Sequence, residues 1–197
     1  MNVQMKSSNG ITLVPLDSSM LSERKIFMEG EINDGMAMEF IQKLIYLAGK
    51  DPKEPIQILI NSPGGQINSG MLIYDAMQSC ETPLKLYCLG KAYSMAAIIF
   101  ASGGKGSRYM FPSSELMVHE PLLGNSVSGN STSIKMVSES LLETRDKINK
   151  ILAKHTGKPE KEVEEAVQSG RFFQAQEAIG FGLADHVAGF ADIALGA

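Results

Sequence analysis

The fold is decided by residues 56–79, which read IQILINSPGGQINSGMLIYDAMQS. The first five residues are nearly continuously apolar, which is typical of a strand that is covered on both faces of its sheet. A turn of Ser62-Pro63-Gly64-Gly65 follows, and residues 68–79 then have the spacing of a helix. A buried strand, a tight turn and a helix together predict a unit of a parallel α/β sheet.

The same alternation continues on both sides of this unit. Further strands are predicted at residues 25–28, 84–89, 109–111 and 116–118. One helix is predicted to begin at Asn33 or Asp34, where good N-cap residues precede a 3.6-residue period, and another to begin near Ser94. The sequence therefore predicts an α/β fold with a mainly parallel sheet.

The second half of the chain has a different character. Residues 122–133 are rich in Gly, Asn and Ser, which favours a loop or a weak hairpin that projects from the body. A long helix is predicted from about Ile134 to His155, and its apolar stripe is more typical of a packing surface than of a cofactor site. No linker-like composition or internal repeat divides the chain, so we expect one domain over residues 1–197.

The composition argues against several classes of function. The 197 residues include 18 basic and 22 acidic side chains, for a net charge of −4, and no basic block offers phosphate contacts to a nucleic acid. The three histidines and two cysteines show no ligand spacing, so we expect no metal and no other cofactor. Without an apolar leader or a long apolar run, we expect no membrane contact and a cytoplasmic protein.

Ser94 is a candidate nucleophile. It follows a predicted buried strand and begins an apolar helix, at the sheet edge where open α/β folds place their ligands. The N-terminus of that helix favours negative charge nearby, and the small side chains of Ala92 and Ala96 would let a substrate approach closely. On this segment alone, however, Ser94 is explained more simply as a helix N-cap.

Two further segments carry candidate residues. Gly64 and Gly65 could present backbone N–H groups to a developing oxyanion, although a tight turn alone also explains two glycines. His119 ends a predicted strand 25 residues after Ser94, and Pro121 stops that strand. A histidine at a strand end needs no catalytic role, so this segment alone is not decisive either.

The other two histidines are expected to be structural. His155 lies at the predicted C-terminus of the long helix, where a cation suits the helix dipole. His186 belongs to a late strand, and nothing in its neighbourhood indicates a function.

Together these segments resemble the proteolytic subunit of the Clp (caseinolytic) protease family. The resemblance covers about residues 22–187 and rests mainly on three motifs in the family's order and spacing. These motifs are Ile60-Asn61-Ser62-Pro63-Gly64-Gly65, Gly90-x-Ala92-x-Ser94-Met95 and Met117-x-His119-x-Pro121. Further matches are Arg171-Phe172-Phe173 and Gly182-Leu183-Ala184-Asp185. Three linked motifs are highly specific, and they outweigh the separate structural explanations.

The resemblance implies a crotonase-like α/β domain in a tetradecamer of two stacked seven-membered rings around a closed chamber. It implies a serine endopeptidase, with Ser94 as the nucleophile and His119 as the general base. The N–H groups of Gly65 and Met95 would form the oxyanion hole. The segment after Gly65 would pair with an extended peptide substrate by strand addition.

The family's assembly and partners are implied in the same way. Residues 122–155 would form the handle between the rings, and residues 1–20 the axial N-terminal segment. We expect unfolded protein or peptide substrates and an ATP-driven AAA+ unfoldase of the Clp type. The rings would consist of this chain alone or of this chain mixed with a related subunit.

The docking positions for the unfoldase differ from the family pattern. Where the family has aromatic residues, this chain has Gln57 and Ser79. Part of an apolar patch could be kept by four other side chains, which are Leu59, Tyr87, Tyr109 and Phe111. We therefore expect docking that is selective for its unfoldase.

A second departure concerns the catalytic triad. The family's acid is an Asp directly before the Arg-Phe pair, and this position is Gly170 here. Loss of the orienting carboxylate generally costs serine proteases roughly 10⁴-fold in kcat. Gln168, Ser169 and Glu120 are candidates to replace it, although Glu120 adjoins His119 on a strand and should point to the opposite face.

Three functions therefore remain to be weighed. The chain could be a serine endopeptidase whose activity is low alone, a mainly structural or regulatory subunit of a mixed ring with a fully active relative, or a crotonase-fold enzyme acting on acyl-CoA. Both Ser94 and His119 are present, which disfavours the acyl-CoA enzyme. A subunit without activity would need neither residue, so the peptidase is the leading hypothesis.

Overall fold

The computed structural model describes residues 1–7, 10–124 and 128–194. Its strands are β1 (Asn2–Ser7), β2 (Gly10–Pro15), β3 (Lys25–Glu29), β4 (Ile56–Ser62), β5 (Leu84–Tyr93), β6 (Arg108–Met110), β7 (Glu115–Met117), β8 (Phe172–Gln174) and β9 (His186–Val187). Its helices are α1 (Leu16–Ser22), α2 (Asp34–Lys50), α3 (Ile67–Ser79), α4 (Met95–Ala101), α5 (Ser131–Thr156), α6 (Glu160–Gln168), α7 (Ala175–Phe181) and α8 (Phe190–Ala194). Within the described ranges, no helix is long and apolar enough to span a membrane.

The main sheet is built on the long central strand β5. Strands β3, β4, β5, β6 and β9 lie side by side in this order and run parallel. The first half of β5 pairs with β6, and its second half pairs with β7, which also runs parallel to it. Strand β8 adds to β7 in the antiparallel direction. The predicted class, α/β with a mainly parallel sheet, is confirmed.

Strand β4 is covered on both faces, as its apolar run predicts. Ile56, Ile58 and Ile60 belong to the main core, which the helices on that side of the sheet complete. Leu59 belongs to a second, smaller cluster with Tyr87, Ala188 and Ile193, the last of these in α8. The second face is thus covered by the end of the chain.

This second cluster changes the expectation for the apolar patch. Leu59 is only 4% exposed and Tyr87 is completely buried, because α8 packs over them, and Gln57 beside them is also buried. Tyr109 and Phe111 pack against the cluster and remain partly exposed. Of the four side chains expected to keep part of an apolar patch, Leu59 and Tyr87 are therefore buried, and only Tyr109 and Phe111 are partly exposed.

The helix boundaries follow from capping residues. Asn33 is the N-cap of α2, as predicted, and its side chain accepts a hydrogen bond from the N–H of Met36. Helix α5 begins three residues earlier than predicted, because the side chain of Asn130 accepts a hydrogen bond from the N–H of Ser133. It ends at Gly157, which has the left-handed conformation that favours glycine.

Some elements were not predicted. Strands β1 and β2 pair in the antiparallel direction, and α1 follows β2 directly. Strand β5 continues to Tyr93, beyond the predicted end at residue 89. In the predicted loop at 122–133, residues 122–124 and 128–130 are outside helices and strands, and residues 125–127 lie outside the described residues.

A buried arginine ties several element ends together. Arg108, at the start of β6, is 3% exposed, and its guanidinium donates to the carbonyl of Ala101 at 3.1 Å and of Gly182 at 2.8 Å. It also forms a two-pronged ion pair with the carboxylate of Asp185, at 2.8 and 2.6 Å. The Arg108 network thereby joins the ends of α4, α7 and β9 to the sheet.

Candidate active site

Ser94 occupies a strained turn between β5 and α4. Its φ of 54° and ψ of −123° lie outside the regions that side-chain-bearing residues prefer, at a cost of roughly 1–3 kcal/mol. The backbone N–H of Ser94 donates to the carbonyl of Met117 at 2.8 Å, which fixes the turn on the end of β7. The side chain makes no capping hydrogen bond to α4. A simple N-cap role therefore does not explain Ser94, and its hydroxyl is available for other chemistry.

The glycine turn packs directly against Ser94. A Cβ on Gly64 would lie 2.5 Å from the carbonyl oxygen of Tyr93 and 2.8 Å from the Cβ of Ser94, so only glycine fits. The turn is held by Ser62, whose hydroxyl donates to the carbonyl of Gly30 at 2.6 Å and accepts from the N–H of Gly64 at 3.1 Å. The ends of β4 and β5 are therefore brought into contact at the site.

Two backbone N–H groups at this contact have no acceptor among the described residues. Ile32 binds the residues on either side of Gly65, since its N–H donates to the carbonyl of Gly64 and its carbonyl accepts from Gln66, both at 2.8 Å. The N–H of Gly65, which lies between these two bonds, has no acceptor in the described structure. The N–H of Met95 has none either, because Met95 begins α4 and has no intrahelical acceptor.

All four predicted site residues line one cavity of about 220 Å³. They are Gly65, Ser94, Met95 and His119. The other lining residues are apolar or small, namely Pro63, Ile67, Ile98, Pro121, Leu122 and Ile148. The site is thus a small apolar cavity with a hydroxyl, an imidazole and two backbone donors in its wall.

A larger cavity of about 760 Å³ continues from this one. It shares Gly65, Ile67 and Leu122 with the smaller cavity and extends to the side of α5 that carries Val137 and Leu141. Because α3 begins at Ile67, the extended backbone after Gly65 is limited to Gln66. The segment expected to pair with a peptide is therefore short.

His119 lies two residues beyond the end of β7. It is half-buried, and its ring has no hydrogen-bond or ion-pair partner among the described residues. The β7–β8 register pairs Met117 with Phe172, and the N–H of Val118 donates to the carbonyl of Arg171 at 3.1 Å. Gly170 directly precedes Arg171 in a turn with a φ of 63°, and His119 directly follows Val118, so the two residues adjoin the last bonded pair of the ladder.

The three candidates to replace the triad acid are engaged elsewhere. The carboxylate of Glu120 lies 3.6 Å from the guanidinium of Arg145 on α5. The amide of Gln168 donates to Glu164, and the hydroxyl of Ser169 donates to a carbonyl of its own helix. None of the three forms a hydrogen bond or an ion pair with His119 in the described structure.

The sequence interpretation missed a polar cluster beside the site. Glu115 accepts hydrogen bonds from the hydroxyl of Tyr93 at 2.6 Å and from the amide of Gln174 at 2.7 Å. The bond to this carboxylate is the main reason that the pKa of Tyr93 is raised to about 12. Because the three residues lie on three strands far apart in the chain, only the strand register brings them together.

The remaining histidines lie away from the cavity. Burial lowers the pKa of His155 to about 4, with further lowering by Lys154 and Arg108, and its ring contacts the hydroxyl of Tyr74 at 3.3 Å. The ring of His155 is therefore neutral at pH 7, and the cation of the last turn of α5 is Lys154. His186 stacks on the ring of Tyr109.

Comparison with known families agrees with these observations. A family model described as Clp protease matches residues 8–190. The chain therefore belongs to the Clp protease family. Membership identifies it as a hydrolase of the protease class and a proteolytic subunit, and it indicates a serine peptidase that processes its substrates in a ring-forming oligomer.

Proposed function

We propose that this chain is a serine endopeptidase in which Ser94 is the nucleophile and His119 the general base. The observation that carries the proposal is that one cavity contains a strained, uncapped serine, a histidine and two backbone N–H groups without acceptors. A strained turn that presents a serine in such surroundings suits nucleophilic attack on a carbonyl.

The proposed reaction follows the usual course of acyl transfer. The Oγ of Ser94 attacks the scissile carbonyl carbon while the imidazole of His119 takes its proton. The C–N bond then breaks, and His119 returns the proton to the leaving amine. Water hydrolyses the acyl-enzyme by the same steps, with His119 again acting as the base.

The two unpaired N–H groups act on the oxyanion of this reaction. As the carbonyl becomes tetrahedral, its oxygen accepts hydrogen bonds from Gly65 and Met95, which are already fixed and need no rearrangement. The close packing of Gly64 on Ser94 holds the Gly65 donor in place. One donor of this kind contributes roughly 10²–10³-fold in kcat.

The substrate we propose is an unfolded polypeptide. The small cavity receives one apolar side chain, and the larger cavity that continues from it offers room for the adjoining peptide along α5. Gln66 offers only a short stretch of backbone for strand addition, so side-chain contacts contribute much of the affinity.

We further propose that the chain works in stacked rings fed by an ATP-driven unfoldase of the Clp type. Support for a contact through the handle comes from apolar side chains exposed on α5, namely Ile134, Met136 and Leu142. The unfoldase would dock on the outer sheet face, where Tyr109 and Phe111 remain partly exposed beside α8. Cytoplasmic operation is part of this proposal.

We also propose that the isolated chain has attenuated activity. The imidazole of His119 has no partner in the described structure to hold its tautomer and orientation. The same observation favours a second candidate function, a mainly structural or regulatory subunit that completes a mixed ring with a fully active relative. The two candidates differ in whether Ser94 reacts.

Labelling with a serine-directed fluorophosphonate separates these candidates. We expect label on the parent protein and none on Ser94→Ala, because among the described serines only Ser94 lines the cavity with His119 and the two N–H groups of Gly65 and Met95. Ser102→Ala is the matched control, since its hydroxyl lies at the other end of α4 and bonds the carbonyl of Ile99. Absence of label on the parent, alone and mixed with a complete relative, would refute the peptidase and leave the structural role.

A further inference from the structure

One face of the three neighbouring strands β5, β7 and β8 carries polar side chains and ends near His119. Alternate residues of a strand share a face, and hydrogen bonds among Tyr93, Glu115 and Gln174 show that these three side chains do so. Phe172 joins them through an edge-to-face contact with Tyr93. His119 lies two residues after the end of β7, and its side chain lines the cavity that also contains Ser94.

Gly170 leaves open space at the end of the β7–β8 ladder. Gly170 directly precedes Arg171, whose carbonyl accepts from the N–H of Val118 next to His119, so it lies in a turn beside the end of the β7–β8 ladder, with a φ of 63°. An ideal Cβ on Gly170 would meet no heavy atom within 4 Å. Gly170 is only partly exposed, so the space is open yet lies against the protein.

The chain's own carboxylates on neighbouring strand positions do not reach this space. Glu115 shares the face but is held by Tyr93 and Gln174. Glu120 pairs with Arg145 on α5. Among the described residues, the imidazole of His119 therefore has no hydrogen-bond acceptor.

We propose that the space between His119 and Gly170 binds a carboxylate from outside the chain, and that this carboxylate orients His119 for catalysis. It accepts the imidazole N–H that faces away from Ser94 and stabilises the imidazolium formed during attack. The source is a small dissolved carboxylate or an Asp or Glu side chain of a neighbouring subunit. This inference rests on the proposed peptidase function.

A dissolved carboxylate should bind weakly. One charge-assisted hydrogen bond in a partly exposed site supports a Kd on the order of tens of millimolar. The rate gained can still be large, because loss of the triad acid costs roughly 10⁴-fold. We expect acetate or formate to raise peptide hydrolysis at least ~10-fold with a saturating dependence.

The test is an acetate titration of peptide hydrolysis at fixed pH and fixed ionic strength, with chloride as the replaced anion. It is run at protein concentrations below and above assembly, which sedimentation establishes. The variant Gly170→Asp should have a higher basal rate and no acetate response, since its own carboxylate fills the space. Gly157→Asp is the matched control, because Gly157 also has a positive φ and open space around its Cβ but ends α5. It should keep the parent's basal rate and response.

Each outcome of the acetate titration supports one source of the carboxylate or overturns the inference. Acetate activation at both concentrations supports a dissolved carboxylate. Activation of the dissociated protein only, with a high and acetate-independent rate in the oligomer, supports a carboxylate from a neighbouring subunit. No acetate response at either concentration overturns the inference. Fluorophosphonate labelling of the same samples separates the two proposals, because a labelled but unresponsive protein refutes only the carboxylate, and an unlabelled one refutes the peptidase.

Discussion

Arg108 begins strand β6 and His119 follows the end of strand β7, and the two side chains differ in how completely their hydrogen bonding is satisfied. The guanidinium of Arg108 is buried and binds the carboxylate of Asp185 together with carbonyls at the ends of α4 and α7. The imidazole of His119 is half-buried and has no such partner in the described structure. The first region has its partners within the chain and stabilises the fold. The second is left open, so its function depends on what binds there.

The largest expected effect is on the Arg108 network. Asp185→Asn leaves the buried guanidinium of Arg108 without its counter-charge, which should lower the free energy of unfolding by about 3–5 kcal/mol. Burial opposes the charged form of Asp185, but hydrogen bonds and charge from Arg108 outweigh it and lower its pKa. The stabilisation is therefore present above the ordinary Asp pKa of about 4 and is lost as the pH falls below it.

Urea unfolding at pH 7 measures this prediction. Asp146→Asn is the matched control, because its ion pair with Arg145 is exposed and worth about 0–1 kcal/mol. Per folded molecule, Asp185→Asn should hydrolyse peptide like the parent. A folded variant with a large loss of rate would show that the two regions are coupled, and the comparison would fail.

The next prediction concerns the glycine turn that packs against Ser94. In Gly64→Ala the new Cβ collides with the carbonyl of Tyr93 and the Cβ of Ser94, so the turn must move and take the Gly65 donor with it. We expect kcat/KM for peptide hydrolysis to fall roughly 10²–10³-fold, the cost of one oxyanion donor. Gly49→Ala, on the exposed side of α2 with no atom within 4 Å of its Cβ, should keep the parent's rate. Parent-like hydrolysis by folded Gly64→Ala would contradict the proposed oxyanion hole.

Local chemistry explains why so much of the fold could be predicted. The apolar run of β4, the N-cap at Asn33 and the glycine at residue 157 act through neighbours in the chain, and each marks its element. The pairing of β1 with β2 was missed although apolar residues alternate with polar ones in both strands, as Val3 and Met5 do in β1 and Ile11 and Leu13 do in β2. The cover of Leu59 by α8 was missed because it joins segments more than 100 residues apart.

The candidate site was predictable in its residues but not in its arrangement. Ser94, His119 and the glycine turn stand out as motifs, and the register then brings them to one cavity. The positive φ of Ser94 is not encoded by serine itself, which rarely adopts it, but by the packing of Gly64 and the bond to Met117. The Tyr93–Glu115 bond likewise depends on pairing between strands, which no local pattern specifies.

A smaller effect on peptide hydrolysis is expected from removing the imidazole of His119. In a serine protease with a complete triad, removing the histidine costs roughly 10⁶-fold, while removing the acid costs about 10⁴-fold. If His119 already acts without an orienting carboxylate, His119→Ala should therefore reduce kcat by only about 10²-fold. Peptide hydrolysis measures it, and Gly170→Asp/His119→Ala should lose far more relative to Gly170→Asp. A loss near 10⁶-fold in His119→Ala alone would mean that the base is already well oriented in the parent.

The smallest expected effect is the loss of stability at low pH that is due to His155, whose pKa the nearby Arg108 helps to lower. Burial holds the pKa of His155 at about 4, below the value of about 6.5 for an unfolded chain. The unfolded state therefore binds the extra proton as the pH falls from 6.5 to 4, and the parent loses stability over this window. Since the ring is only partly buried, we expect on the order of 1 kcal/mol. Urea unfolding at pH 7, 5.5 and 4.5 should show a shallower decline for His155→Gln, and a parent-like decline for His186→Gln, whose ring is exposed. Equal declines in all three proteins would mean that protonation of His155 does not lower the free energy of unfolding. A charged His155 would then be tolerated beside Arg108.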